Sequence, residues 1–325
     1  MKVLLATDGS ENALEAASFL SSLGHKQPVE ITLLTVSYLP ENLHSRTVAS
    51  WYPQWQAMES SRIDTHHQEL EATLKGVPGL VTRLTKSGNP THVIIKTAEE
   101  LDSDLVVIGA RGHSRLERML IGSVSDAVAT HAPCSVVVVR PDREKYVTKN
   151  AEVEPPPKAH KVLLGYDGSP SAKDAIADFK HFDWQGNSAL VLSVHQVFDG
   201  FGQDYAELYE LQKELPTPNE LTTEASQLIG NCCDDLSCLE ANGSHIGQTL
   251  THEAFRHRAD LVMVGDNGHG MLEQFLLGST SKYILRHADC SVWISRQKLA
   301  KESVTAKDAE TSTSSFPATA LSPGV

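Results

Sequence analysis

Asp104-Leu-Val-Val-Ile-Gly109-Ala-Arg-Gly112 carries an apolar run into two glycines, and after nine further residues Gly122-Ser123 opens a helical pattern. The same device recurs as Asp260-Leu-Val-Met-Val-Gly265-Asp-Asn-Gly268, nine residues, then Gly278-Ser279. Glycine lets a backbone approach a ligand closely, and the free N–H groups of a helix start attract anions. A strand, a glycine loop and a helix N-terminus, present twice, therefore predict two parallel α/β units with an anion-accepting end.

The repetition extends well beyond the loops. Lys2-Val-Leu-Leu-Ala-Thr-Asp-Gly-Ser10 matches Lys161-Val-Leu-Leu-Gly-Tyr-Asp-Gly-Ser169, an offset of 159. Asp104 matches Asp260, and Cys134-Ser135 matches Cys290-Ser291, both at 156, so the middle of the second copy is three residues shorter. A period this long means two domains, not a solenoid. Residues 1–141 and 160–297 form the expected domains. Residues 142–159, with Pro155 to Pro157 and many charges, read as a stiffened linker. The Ala-, Ser- and Thr-rich segment 298–325 reads as a disordered tail.

Within the first copy, Val3 to Thr7 reads as a buried strand. Asp8-Gly9-Ser10 turns the chain into a helix with Ala13, Ala16, Ala17 and Leu20 on one face. Ser169-Pro170 marks the matching start in the second copy. Strands are expected at 30–36, 80–84, 105–108 and 135–139. Helices are expected at 55–74, 91–101 and 123–131, the last burying Val124, Ala127 and Val128. Strands buried on both faces and alternating with helices predict a doubly wound parallel sheet, whose ligands sit beyond the carboxyl ends of the strands. Asp8, Val36 and Gly109 all fall there.

Composition narrows the function. The chain has 325 residues, 40% of them hydrophobic, enough for two cores, and a net charge of −13. That balance argues against nucleic acid and anionic membranes as partners. No apolar run reaches membrane-spanning length, and the N-terminus lacks the apolar core of a signal peptide. Five cysteines, few and odd in number, fit a reducing cytoplasm.

In the glycine loop, Gly109 is read as sparing a ligand from a side chain and Gly112 as allowing a tight turn. The N–H groups after Gly122 and the Ser123 hydroxyl are candidates for phosphate oxygens. No Lys follows the last glycine, so this is not a P-loop, and the dinucleotide spacing is absent. An ordinary strand-to-helix turn would use the same glycines. Asp8 and Asp167 could accept hydrogen bonds from a ribose or an adenine amino group, or serve only the Asp-Gly turn.

Taken together, the strand-Asp-Gly-Ser start, the G-x2-G-x9-G-S element and the closing Pro133-Cys-Ser-Val-Val-Val-Val139 run resemble the universal stress protein family. The resemblance covers the whole chain except linker and tail. It implies two tandem domains of adenine nucleotide alpha hydrolase-like fold, each on a five-stranded parallel sheet, packed as an internal pseudo-dimer through their last strands, Ser135 to Val139 and Ser291 to Ser295. One branch of the family binds ATP and is associated with this glycine motif; another lacks both. Carried over, the adenine and ribose end would involve Ala6, Thr7, Asp8 and Val36. The phosphates would meet Gly109, Gly112, Gly122, Ser123, Val124 and Ser125. The matching second set is Gly165, Tyr166, Asp167, Val194, Gly265, Gly268, Gly278, Ser279, Thr280 and Ser281. Two departures stand out. ATP-binding members often have Asn where Val124 and Thr280 stand here, and Tyr166, bulkier than Thr7, could stack on a base or fill the pocket.

The two loops differ in charge. Arg111, Arg115 and Arg118 stand against Glu117 in the first, whereas the second has Asp266 and Glu273 and no cation. That contrast predicts tighter nucleotide binding in the first domain. His113 and His269 could touch a phosphate or sit in solvent, and His131 and His287 suit helix ends. Cys232, Cys233 and Cys238 lie in an acidic stretch read as helical, without zinc spacing. Cys134 and Cys290 read as small buried packing residues. Trp51, Tyr52 and Trp55 are expected to pack over the sheet, with roofing of the first crevice as the alternative.

Three functions follow as expectations. The first is a cytoplasmic protein that binds ATP, with or without magnesium, and signals stress through an unknown protein partner or by pairing with a second copy. The second is a scaffold that no longer binds nucleotide, and the third is a slow ATP hydrolase. No catalytic base or metal-ligating set is recognisable in the sequence.

Overall fold

The computed structural model describes residues 1–37, 48–112, 121–141, 160–197, 216–268 and 277–297, with side chains from 54 onward in the second segment. The linker, the tail and the loop residues His113, Arg115, Glu117, Arg118, His269 and Glu273 lie outside them, as do the side chains of Trp51 and Tyr52.

The first repeat folds as β1 (Lys2–Thr7), α1 (Glu11–Ser22), the short β2 (Gly24–His25), β3 (Val29–Ser37), α2 (Val48–Thr73), β4 (Gly79–Ser87), α3 (Pro90–Glu100), β5 (Leu105–Gly109), α4 (Ser123–His131) and β6 (Ser135–Val139). The second gives β7 (Lys161–Gly165), α5 (Pro170–His181), β8 (Phe182–Gln196), α6 (Pro218–Ile229), β9 (Cys233–Gly243), α7 (Ile246–Arg256), β10 (Leu261–Gly265), α8 (Ser279–His287) and β11 (Ser291–Ser295). Parallel pairing orders the strands β4-β3-β1-β5-β6 in one half and β9-β8-β7-β10-β11 in the other. Each half is thus the expected five-stranded parallel sheet.

Local chemistry places the helices. Ser10 accepts the Ala13 N–H and Ser169 the Ala172 N–H, so both cap their helices as read. The buried face of α1 is Ala13, Ala16, Ala17 and Leu20, as the spacing predicts. In α4 the buried residues are instead Ser125, Val128 and Ala129, while Val124 and Ala127 are half-buried. The helix is rotated from the expected face because its first turn borders an open crevice.

Cys232, Cys233 and Cys238 do not lie in a helix. Pairing of β9 with β8, from Asp235 opposite Ser188 to Gly243 opposite Gln196, imposes a strand on that acidic stretch. Tertiary pairing overrides a weak local signal here.

The halves meet where β6 and β11 pair antiparallel, Val136 opposite Ile294, Val137 opposite Trp293 and Val138 opposite Val292. The expected edge pairing of the last strands is therefore present. One apolar core, under α1, α2, α5 and α6, includes Leu5, Leu20, Leu70, Val137, Phe179, Leu221, Met263 and Trp293. The other, under α3, α4, α7 and α8, includes Leu4, Ile94, Val136, Val138, Leu250, Ile284 and Ile294. Both cores run unbroken across the junction, so the halves share their interior.

Polar contacts fix the junction with near two-fold logic. Arg140 and Arg296, 156 positions apart, each follow the last strand of a half. The Arg140 N–H donates to Ser291 Oγ (3.1 Å), and its guanidinium reaches Leu285 O (2.8 Å) in α8. The Arg296 N–H donates to Ser135 Oγ (3.1 Å), and its guanidinium reaches Ala129 O (3.2 Å) and Ala132 O at the end of α4. A cation suits those carbonyls, which carry the negative end of the helix dipole. Asp126 of α4 also takes a two-pronged bond from Arg286 of α8 (3.0 and 3.1 Å).

Candidate functional site

Two open crevices lie at the carboxyl ends of the strands, one per half, with volumes of about 310 Å³ and about 300 Å³. The first is lined by all ten residues expected there: Ala6, Thr7, Asp8, Val36, Gly109, Gly112, Gly122, Ser123, Val124 and Ser125. The second is lined by the other ten: Gly165, Tyr166, Asp167, Val194, Gly265, Gly268, Gly278, Ser279, Thr280 and Ser281. Residues more than a hundred positions apart converge because the parallel order of β3, β1 and β5, and of β8, β7 and β10, brings their ends side by side.

Each crevice has an apolar and a polar end. Leu34, Pro90, Ile94 and Ile108 join Val36 in the first, and Leu192, Ile246, Leu250 and Val264 join Val194 in the second. Sequence reasoning missed these walls. A signal existed: Pro90 and Ile94 on α3 and Ile246 and Leu250 on α7 are i, i+4 pairs at the shared offset of 156.

At the polar end, α4 and α8 begin on Gly122 and Gly278, neither of which supplies a side-chain cap. By contrast, the side chains of Ser10, Asn89, Ser169 and Thr217 cap α1, α3, α5 and α6. Nothing within α4 can accept the N–H groups of Ser123, Val124 and Ser125, since a helix leaves its first turn of donors unpaired. The loop behind them is tied down, with Gly122 N–H on Ala110 O and Gly278 N–H on Asp266 O, both 2.8 Å. Donors and positive dipole end thus face each cavity from a fixed support.

Several sequence readings change in detail. The Ser125 and Ser281 hydroxyls are spent on Gly109 O (2.7 Å) and Gly265 O (2.6 Å), leaving Ser123 and Ser279 as the exposed hydroxyls. Gly109 does not make room for a ligand. A Cβ there would stand 2.8 Å from Asn12 O in the first turn of α1, and one at Gly265 would strike Ser171. Gly112 has no left-handed φ to demand glycine; a Cβ on it would fall on Asp8 Oδ2. Asp8 serves the Asp-Gly turn and also borders the crevice. Oδ1 accepts the Ser10 N–H (3.0 Å) and closes the turn, while Oδ2 faces Gly112 across the crevice. Asp167 repeats this with Ser169 N–H (3.0 Å) and Gly268.

Tyr166 borders the second crevice, but its ring is neither placed to stack on a base nor fills the pocket. Strand alternation sends the side chain into the core shared by α5 and α6, where burial, with Glu224 beside it, pushes the hydroxyl's pKa up. Asp266 does not confront the second crevice either. It is buried against Arg296, Nε to Oδ2 2.9 Å. Half of the expected charge contrast thereby disappears, and Arg111 opposite Asn267 is what remains of it among the described lining residues.

The remaining candidates are structural. His131 Nδ1 and His287 Nδ1 bond the carbonyls of Ala127 (2.9 Å) and Tyr283 (2.8 Å) one turn back. Cys134 is buried as expected, whereas Cys290 is half-buried, its thiol packed against the core and pushed up to about 12 by desolvation. Trp55 is half-buried in α2. Among the described residues no group of three or more His, Cys, Asp or Glu could hold a metal, and no helix is long and apolar enough to cross a membrane.

The model of one family, described as the universal stress protein family, matches residues 1–140 and again 158–296. The chain belongs to the universal stress protein family. A curated family relative from Staphylococcus haemolyticus is 34% identical over 145 residues, which is 42% of this chain and 83% of that protein. One from Staphylococcus aureus strain USA300 is 33% identical over 145 residues, covering 42% and 82%. A universal stress protein structure from Archaeoglobus fulgidus aligns with 91% of this chain and 96% of its own, at a TM-score of 0.56 and 20% identity. The doubled fold is thus shared with a solved universal stress protein.

Proposed function

We propose that this universal stress protein binds an adenine nucleotide, ATP first of all, in its glycine-loop crevices and uses occupancy to signal stress in the cytoplasm. The observation that carries the reading is the union, in one cavity, of an apolar slot and an uncapped helix start. Leu34, Val36 and Ile94 suit a base, Asp8 suits ribose hydroxyls, and the N–H groups after Gly122, with Arg111 and the Ser123 hydroxyl, suit phosphates. A bound nucleotide would supply polyanionic charge at the junction of β5 and α4. Magnesium, if it enters, would come on the phosphates, since the described residues offer it no carboxylate cluster.

The second crevice repeats the donors but has Asn267 in place of Arg111, so it takes the same ligand less tightly. A signalling role requires that nucleotide favour one shape or partner over another, and the shared core offers a route between the halves.

Calorimetric titration of ATP, ADP and AMP into the full chain tests the reading, with phosphate release followed in parallel. Saturable ATP binding, weaker for AMP, and weaker again after Arg111→Asn, is expected. Absence of binding by any of the three would leave a scaffold acting through protein contacts. Steady phosphate release would make it an enzyme.

A further inference from the structure

Two adjacent histidines of α2, His66 and His67, are buried at 7% and 1% exposure where α2 crosses the ends of β1 and β3. His66 Nε2 lies 2.6 Å from Thr7 Oγ1, and His67 Nε2 lies 2.8 Å from Thr35 Oγ1. Thr7 and Thr35 are direct neighbours in the parallel register of β1 and β3. The pair thus clamps both strands at the level where Ala6, Thr7 and Asp8 on one and Leu34 and Val36 on the other line the first crevice. Thr7 Oγ1 also accepts the Gly9 N–H (3.3 Å), so the clamp continues into the Asp8–Gly9 turn.

Among the described residues the second half has nothing of this kind. Tyr166 and Ser193 stand at the matching strand positions, α6 contains no histidine, and the carboxylate near the Tyr166 hydroxyl is Glu224, paired to Lys173 (2.9 Å). The clamp is a property of one crevice, and the glycine motif does not account for it.

We propose that His66 and His67 are proton-linked positioning residues of the first crevice, with His66 taking up a proton when a polyanionic nucleotide enters. This deepens the nucleotide reading and rests on it. Burial favours neutral imidazole at both residues. His66 is faced by Glu69 (Nδ1 to Oε2 3.6 Å) and Arg62 of its own helix, by His67, and by Asp8 from the β1–α1 turn. His67 is faced by Arg83 of β4, and by Asp64 and Glu71. Each imidazole is faced by two carboxylates and one arginine, but the strongest charge on His66 is Glu69 and the strongest on His67 is Arg83, and this directs a single proton to His66. Phosphate charge on the far side of Thr7 and Asp8 adds to the same side of the balance. Protonated His66 then donates to Thr7 Oγ1, keeps the Asp8–Gly9 turn in place and adds positive charge beside the ligand.

The test uses the full-length protein. Histidine ring resonances are followed by NMR from about pH 5 to about pH 8, with and without saturating ATP, and assigned from His66→Gln and His67→Gln spectra. The His66 midpoint is expected to rise by about half a pH unit with ATP, equivalent to roughly threefold tighter binding at the acid end through this group. Uncharged adenosine is expected to leave it unmoved or lower it. Wild type should gain most of that threefold over His66→Gln, whose amide still bonds Thr7, as pH falls from about 8 to about 5. An unmoved His66 midpoint while ATP shifts the Val124 methyl resonances would overturn this inference alone. If ATP shifts neither Val124 nor Thr280, the nucleotide reading falls and takes this one with it. Because the ring titration is read on wild type, a poorly folding His66 variant does not block the decision; assignment then comes by elimination from His67→Gln.

Discussion

Replacing Arg296 by Met should loosen the junction between the two halves by several kcal/mol, far more than an exposed arginine would cost. The side chain is only 8% exposed and its partner Asp266 11%. Its guanidinium holds four groups at once: Asp266 in the loop of the second crevice, and the carbonyls of Ala129, Thr130 and Ala132 at the end of α4, the helix whose start forms the first crevice. Met fills the volume but leaves the carboxylate buried without its cation. Breaking a buried pair from one side costs about 3–5 kcal/mol, most of it from the stranded charge. Arg140 indicates what relieves that cost. It makes the equivalent helix-end contact to Leu285 O and another to Cys290 O just before β11, and Ala110 stands where Asp266 stands in the second loop. Asp266→Ala on its own should therefore cost less, about 1–3 kcal/mol, because Arg296 keeps its carbonyl partners. The double variant should recover a coupling energy of about 2 kcal/mol or more relative to the sum of the singles. Urea unfolding of all four proteins at pH 7 gives the cycle. A cost below about 1 kcal/mol for Arg296→Met, or strict additivity, would show that the ion pair is solvated and that the junction is held by the β6–β11 core alone.

Gly112→Ala should weaken ATP binding in the first crevice by about tenfold or more, since its Cβ would occupy the place of Asp8 Oδ2. Gly268→Ala, whose Cβ would sit 3.1 Å from Asp167 Oδ2, should cost the second crevice only a few-fold, and calorimetry on the two full-length variants separates them. Asp178, half-buried at the junction, accepts bonds from Ser135 Oγ (2.7 Å) and Trp293 Nε1 (3.1 Å), yet desolvation outweighs these and pushes its carboxyl up. The folded protein therefore holds this proton to higher pH than the unfolded chain, and stability is lost as pH rises from the unfolded value toward the folded one. Asp178→Asn should be more stable than wild type at pH 7, with the difference closing toward about pH 4; a less stable variant with a pH-independent gap would refute the assignment.

Much of this arrangement was legible in the sequence because backbone chemistry wrote it. Strand-ending glycines, Ser caps and a shared offset are local signals, and they placed α1, α4, β6 and the glycine-loop side of each crevice, though not its apolar walls. Side-chain direction was less legible. Whether Ser125 offers its hydroxyl to a ligand or to Gly109 O depends on how far α4 rotates against β5, and no pattern within α4 states that. Asp266 looked like an unpaired charge in the loop because Arg296, thirty positions later, meets it only after β10 and β11 pair. The acidic cysteine stretch looked helical because its β partner, β8, lies far back in the chain, Ser188 opposite Asp235. The histidine clamp has no motif; it exists only where α2 happens to cross the ends of two neighbouring strands.

The two halves differ in a consistent way. What the backbone supplies is duplicated: uncapped helix starts, tied glycine loops and Asp turns appear in both crevices with nearly the same distances. What side chains supply is not: Arg111 faces Asn267, Thr7 with His66 faces Tyr166 beside Glu224, and Ala110 faces Asp266. Backbone donors give general affinity for an anion, whereas cations and titratable groups set how that affinity responds to charge and pH. A single isotherm for the whole chain would average two sites with different laws. Affinity in the first crevice should change with pH and with phosphate number more steeply than in the second, and only a measurement that resolves Val124 from Thr280 can see it. Equal slopes at the two reporters would mean that the side-chain differences face away from the ligand and that the duplicated backbone alone does the binding.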